Sequence, residues 1–147
     1  MIIAFGADHG GYELKEEMKA YLTEKGHKIM DFGTTSPKSC DYPVFAKAAC
    51  ESVLKGDAAC AILFCGTGIG ISMAANKIKG IRCGHCTDPL SAHLTKLHNN
   101  ANAIALGGRI TGPELAKAII DAYLTTEYMG AHHQKRLDML TELENSN

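Results

Sequence analysis

Five short strand-like runs, each separated from the next by a stretch of helical periodicity, leave this chain few folds to choose from. They are Ile2–Phe5, Lys28–Phe32, Ala58–Phe64, Ile81–Cys86 and Asn102–Leu106. Ile2–Phe5 and Ala58–Phe64 are apolar throughout rather than alternating, as in strands covered on both faces of a parallel sheet. The spacing of the five runs, roughly 20–30 residues, leaves room for one crossover helix each. The intervening stripes fit: Leu14, Met18, Tyr21 and Leu22, then Phe45, Ala48, Ala49, Ser52 and Val53, and later Leu115, Ile119, Ala122 and Tyr123. Three helices are expected to stop on Lys25-Gly26, Lys55-Gly56 and Lys79-Gly80, a cation followed by a residue free to take positive φ. Asp41 with Pro43, and Asp88 with Pro89, read as helix starts, the second helix running through Leu97. Thr111-Gly112-Pro113-Glu114 has capping-box spacing. The basic segment Ala131–Arg136 leads into a last helix with Leu137 and Leu140, and the tail Glu142–Asn147 is expected to fray. The expectation is an α/β protein: a three-layer, Rossmann-like fold with a five-stranded parallel sheet, helices on both faces and a C-terminal helix, forming one domain over residues 1–147.

Charge and composition exclude more than they identify. With 147 residues, 21% charged residues and a net charge of −1, the chain offers no electrostatic case for nucleic acid or a membrane surface. Met1–Gly6 has no basic region, and no run approaches membrane-spanning length, so a cytoplasmic protein is expected. The six cysteines then read as thiols rather than as a disulfide framework. Cys83-Gly84-His85-Cys86 matches the C-x-x-C of dithiol oxidoreductases, but Asp88-Pro89 sets the helix start beyond both sulfurs. One such pair is too few ligands for zinc, and no metal is expected. The turn Gly66-x-Gly68-x-Gly70 lacks the third glycine of a dinucleotide fingerprint, and no glycine run is followed by Gly-Lys-Ser/Thr.

In open parallel sheets ligands sit at the carboxyl ends of the strands. There the order of the chain collects Asp8 and His9, Thr34 and Thr35, the turn Cys65-Gly66-Thr67-Gly68-Ile69-Gly70, Thr87, and Arg109. A glycine turn between a strand and a helix start directs free amide hydrogens and the positive helix end at an anion, and favours the thiolate of a neighbouring cysteine. Each residue also has a plainer reading. Cys65 could be a small buried apolar residue, Asp8 a helix cap, and Arg109 a solvated charge. His98 and Asn99 follow a helix and precede a strand, which puts them at the opposite edge of the sheet. His98 is then either a cation at a helix C-terminus or a residue that serves a neighbouring subunit. His132 and Arg136, four apart, suit a phosphate; their plainer reading is a solvated basic turn.

With these residues in place the chain resembles the type B ribose-5-phosphate isomerase family, to which allose- and galactose-6-phosphate isomerases are related. The resemblance runs through Gly6–Gly11, Asp31–Thr34, Asp41-Tyr42-Pro43, Cys65–Ser72, Ala74–Lys77, His98-Asn99, Gly107–Arg109, His133 and Arg136. It implies a cofactor-free aldose–ketose isomerase acting through an enediolate, a step of the pentose phosphate pathway. It implies that Cys65 moves the proton between C2 and C1, since Ile71 stands where some members carry a glutamate base. Amides of Gly66, Gly68, Ile69 and Gly70 would hold the enediolate, with Thr67 assisting. His98 of a partner chain would open the sugar ring, Asp8 and His9 would orient hydroxyls, and Asn99 would bind the sugar. Arg109, His132 and Arg136 would hold the phosphate. The implied assembly is a homodimer, or a tetramer, with active sites shared between subunits. Many members carry arginine at the position of His132, and that departure keeps a six-carbon sugar phosphate in play. Outside the family reading, a dithiol oxidoreductase using Cys83 and Cys86 and an idle sugar-phosphate-binding module are the alternatives.

Overall fold

A computed structural model describes all 147 residues. The elements alternate as β1 (Ile2–Ala7), α1 (Tyr12–Glu24), β2 (Lys28–Asp31), α2 (Tyr42–Leu54), β3 (Cys60–Cys65), α3 (Ile69–Asn76), β4 (Cys83–His85), α4 (Pro89–Asn99), β5 (Ala103–Gly107), α5 (Pro113–Leu124) and α6 (His133–Asn145). The five strands form one sheet in the order β2-β1-β3-β5-β4, and every pairing is parallel. The expected doubly wound α/β fold is the observed one. No helix is long and apolar enough to cross a membrane.

Side chains alternate across the sheet and give it two unlike faces. Ile3, Phe5, Ile62, Phe64, Ile104 and Leu106 point to the side of α1 and α5, where they meet Leu14, Met18, Leu22, Ile119 and Tyr123. Phe5 and Phe64 meet edge to face, with ring centroids 5.1 Å apart. The other face carries mostly small residues, Ala4, Ala61, Cys65, Ala103 and Ala105, against Ala46, Ala49, Cys50, Ile71 and Ala75 of α2 and α3. Small residues on both surfaces let α2 and α3 lie close to the sheet, which sets Cys65 under the start of α3. β2 and β4 are edge strands, and their side chains are only partly covered.

Several boundaries differ from the sequence reading, for local reasons. β3 begins at Cys60 rather than Ala58, because the Ala58 amide closes the turn after α2 on Ser52. It also takes in Cys65, paired with Gly107, so the sulfur stands on the last rung of the ladder. β4 keeps only Cys83–His85, bonded to a single neighbour. α3 stops at Asn76, before Lys79-Gly80, because the Asn76 amide turns to bond both backbone groups of Cys83. α4 runs on through Asn99, which puts His98 in its last turn. Neither Asp41 nor Thr111 caps by its side chain; Glu114 pairs with Lys117 instead. The buried stripe of α5 is Ala116, Ile119, Ile120 and Tyr123, leaving Leu115 exposed. The tail is helical to Asn145, and Leu140 faces outward. Asp88 does cap α4, accepting from the Ser91 amide at 2.7 Å.

No local pattern announces Lys15, which is fully buried on α1. Its ammonium meets Asp31 at 2.8 Å and Glu16 at 2.9 Å and donates to the Thr34 carbonyl at 2.8 Å. These bonds tie α1 to the end of β2 and the loop beyond it. Burial alone would raise the Asp31 carboxyl, but the ammoniums of Lys15 and Lys19 and the Gly33 amide more than reverse this, so its pKa is lowered. A depressed carboxyl stabilises the fold fully above its unfolded value near about 4, and that stabilisation is lost as pH falls through the folded value. Asp31→Asn should therefore cost about 3 kcal/mol at pH 7, measured by urea unfolding, and the deficit should shrink below about pH 4. A deficit unchanged down to about pH 3 would contradict this assignment.

Candidate active site

The chain reverses its direction of travel across the sheet between β1 and β3, and again between β3 and β5. The loops after these three strands meet. A Cβ at Gly10 would stand 2.8 Å from the Gly66 amide, and one at Gly107 would stand 2.5 Å from the Thr67 carbonyl. Backbone bonds lock the contact: Gly108 donates to the Cys65 carbonyl at 2.8 Å and Arg109 to the Gly66 carbonyl at 2.9 Å.

Within this frame Cys65 is 4% exposed, and its Sγ accepts the Gly68 amide at 3.1 Å. Gly68, with φ of +81°, turns the chain into α3. The Ile69 amide is taken by Thr67 Oγ1 at 3.1 Å. The amides of Gly66, Thr67 and Gly70 have no backbone acceptor and remain able to bind an anion. Asp8 is buried, and its Oδ1 accepts from Gly10 at 2.9 Å and Gly11 at 3.2 Å, so it shapes the first loop as the plainer reading required. His9 Nδ1 accepts the Cys40 amide at 3.2 Å, which leaves the ring proton on Nε2 as a donor. Arg109 is exposed and lies over Gly66, with Nη1 3.2 Å from where a Cβ would stand. A cleft of about 400 Å³ opens beside it, between Glu13, Glu17 and Thr111.

His98, Asn99, His132 and Arg136 are not in this group. α4 starts at the carboxyl edge and runs back, so its last turn lies at the opposite edge of the sheet. There His98 stacks on His133, centroids 4.3 Å apart at 16°, and His133 packs on His132 at 4.1 Å. His132 stands at the N-cap of α6, and Arg136 follows within its first turns. Burial, then the charges of His132, His98 and Arg136, hold His133 below the ordinary imidazole value. His133 thus packs against two other rings. The rings stack rather than converge, and no group of His, Cys, Asp or Glu side chains is set to hold a metal ion. The expected site residues therefore fall into two groups in each chain, one at either edge of its sheet.

Three contributors escaped the sequence reading as site residues. Tyr42 packs its ring on Gly70, its Cζ 2.8 Å from where a Cβ would be. His133 is the stacking plate, and His85 bonds the Thr67 carbonyl through Nε2 at 2.9 Å. Tyr42 follows the helix start that Asp41 and Pro43 mark, which is the one signal that could have found it. The dithiol alternative fares badly. All six cysteines are free thiols, and burial raises Cys83 and pushes Cys86 up to about 12, the reverse of what redox chemistry needs.

Fold and site define a doubly wound α/β protein whose glycine turn, with three amides free of backbone acceptors, adjoins a cysteine. Residues 3–140 match the ribose/galactose isomerase family, and the chain belongs to it. It is 47% identical to ribose-5-phosphate isomerase B of Escherichia coli strain K12, over 97% of this chain and 95% of that one. It is 45% identical to a galactose-6-phosphate isomerase subunit of Clostridium acetobutylicum, over 87% and 74% of the two chains. Its fold superposes on ribose-5-phosphate isomerase B of Clostridium thermocellum with a TM-score of 0.98, at 43% identity and 99% coverage of both.

The Gly107–Thr67 contact generates a test. Gly107→Ala should push the Thr67–Gly68 peptide out of place and cost about 1–3 kcal/mol. Gly26→Ala, with φ of +91° and nothing within 4 Å, should cost only about 1 kcal/mol of strain. Thermal unfolding reads both. Equal losses would mean that the loops do not depend on the close approach.

Proposed function

We propose that the protein interconverts ribose 5-phosphate and ribulose 5-phosphate through an enediolate, without a cofactor. One observation carries the reading: a buried cysteine accepts an amide hydrogen at 3.1 Å beside three further amides with no backbone acceptor. Isomerisation of an aldose needs a base at C2 and a stabiliser for the oxyanion that forms when the proton leaves. The Cys65 thiolate takes the C2 proton of the open-chain aldose as the carbonyl pair moves onto O1 to give the enediolate; the O2 hydroxyl proton passes to O1, and the thiol, whose proton can exchange with solvent, returns a proton to C1 as C2=O2 forms. The Gly68 amide favours the thiolate. The amides of Gly66 and Gly70, with Thr67, hold the enediolate oxygens, and Ile69 contributes to the shape of the turn. Asp8 and His9 orient sugar hydroxyls, the latter through its Nε2 donor.

The other half-site comes from a second copy. In a two-fold dimer each Cys65 turn meets its partner's α4 and α6, giving two composite sites. His98 then protonates the ring oxygen and opens the sugar, Asn99 bonds a hydroxyl, and His132 and Arg136, with Arg109, bind the phosphate. The stack on His133 presents His98 in one orientation. A tetramer of such dimers is compatible with the same pairing, and the cytoplasm is the compartment that suits free thiols and a sugar-phosphate substrate. A six-carbon sugar phosphate is the second reading, kept open by histidine rather than arginine at 132, while the fuller match to ribose-5-phosphate isomerase B supports the five-carbon substrate.

Cys65→Ala should abolish ketose formation and the exchange of the C2 proton with solvent, while ribose 5-phosphate still binds by calorimetry. Cys83→Ser with Cys86→Ser should leave turnover within about twofold, since neither thiol is activated. Retained proton exchange in Cys65→Ala would remove the cysteine from the mechanism. Arginine binds a phosphate through two parallel hydrogen bonds, so His132→Arg should lower KM severalfold and His132→Ala should raise it. An unchanged KM in both variants would contradict a role for His132 at the phosphate.

A further inference from the structure

The Cys83-Gly84-His85-Cys86 motif has a member that the oxidoreductase comparison overlooks. Its sulfurs are turned into the protein, but His85, the last residue of β4, is exposed and reaches over the end of β5 to the cysteine turn. Its Nε2 lies 2.9 Å from the Thr67 carbonyl oxygen. A carbonyl can only accept, so Nε2 carries the proton, in the neutral ring or the charged one. The same ring is pressed on Gly68: Cδ2 and Nε2 would stand 2.9 and 3.0 Å from a Cβ there.

The Thr67–Gly68 peptide is thereby held from both ends. In a trans peptide the carbonyl and the N–H point in opposite directions. On one side the Thr67 carbonyl accepts from His85. On the other the Gly68 amide donates to Cys65 Sγ at 3.1 Å. Gly68 has to be glycine, because φ is +81° and the His85 ring occupies the place of a side chain. A peptide bounded by glycine can also rotate about its flanking bonds, and a half-turn would aim the carbonyl oxygen at the sulfur. A carbonyl facing the sulfur would oppose the thiolate, where the amide favours it.

We propose that His85 is a positioning residue for Cys65, latching the Thr67–Gly68 peptide so that its amide, not its carbonyl, faces the sulfur. The proposal rests on reading Cys65 as the base, but its physical content, the reactivity of that thiol, can be measured without any sugar. Hydrogen bonds in series also polarise one another, so a donor on the carbonyl makes the amide a better donor.

The test is alkylation of Cys65 by iodoacetamide at fixed pH, followed on its own peptide by mass spectrometry, beside steady-state isomerisation. His85→Leu should slow alkylation about fivefold, the effect of one ordinary hydrogen bond, and lower kcat with little change in KM. Gln places an amide donor near the position of Nε2, whereas Asn reaches only as far as Nδ1. His85→Gln should therefore restore both rates to within about twofold, and His85→Asn should not. Circular dichroism checks that each variant folds; if His85→Leu does not, the Gln and Asn pair carries the comparison. Unchanged alkylation in His85→Leu, or equal behaviour of Gln and Asn, would overturn the proposal. Should the native protein isomerise no aldose phosphate while alkylation still follows residue 85, the latch stands and the isomerase reading falls.

Discussion

The whole site depends on three strand-end loops packing backbone against backbone. A side chain at residue 10, 66, 107 or 108 would hold the loops apart, since each would meet backbone or the Arg109 side chain within 2.5 to 3.2 Å. The contact fixes where the amides point without using any side chain, and so leaves the side chains free for chemistry. It also explains why Cys65 belongs to the strand rather than the turn. Its sulfur is held by the register of β3 with β5, while the turn beyond supplies the donor. On the proposed reading, the strand rung would hold the base and the interlocked loop the oxyanion cradle, a preorganised pair of the kind that electrostatic stabilisation of an enediolate requires.

A parallel sheet has one edge where strands end and one where helices return. That geometry separates Cys65 from His98 in every copy of this chain. The far edge is itself built with care: Asn100, with φ of +45°, ends α4, and Arg82 donates to the carbonyls of Asn99 and Asn100 at 2.9 to 3.2 Å. These bonds satisfy the last carbonyls of the helix and fix the turn that carries His98.

Much of this was legible from residue order. Apolar runs and their spacing give the parallel sheet, and the side of each loop follows from the topology alone, which is why Asp8, Cys65 and Arg109 could be grouped and His98 set apart. What escaped were contacts between segments distant in sequence. Lys15 sits on the buried stripe of α1, and nothing local announces that Asp31 and the Thr34 carbonyl will receive it. His85 hides inside a cysteine motif whose obvious meaning is a different chemistry. The stack of His98 on His133 needs α4 and α6 packed together. Boundaries shifted where a side chain bonded backbone, as Asn76 does to Cys83, because propensity does not register such bonds.

The proposed division of labour between two copies is most directly examined by mixing inactive variants. A dimer of one Cys65→Ala chain and one His98→Asn chain contains one site with both native residues and one with neither. Unfolding and refolding the two together in equal amounts should return about one quarter of native isomerase activity, from random pairing of chains. Mixtures that stay as inactive as the separate variants, although the mixed dimer is seen by native mass spectrometry, would mean that each chain completes its site alone or not at all.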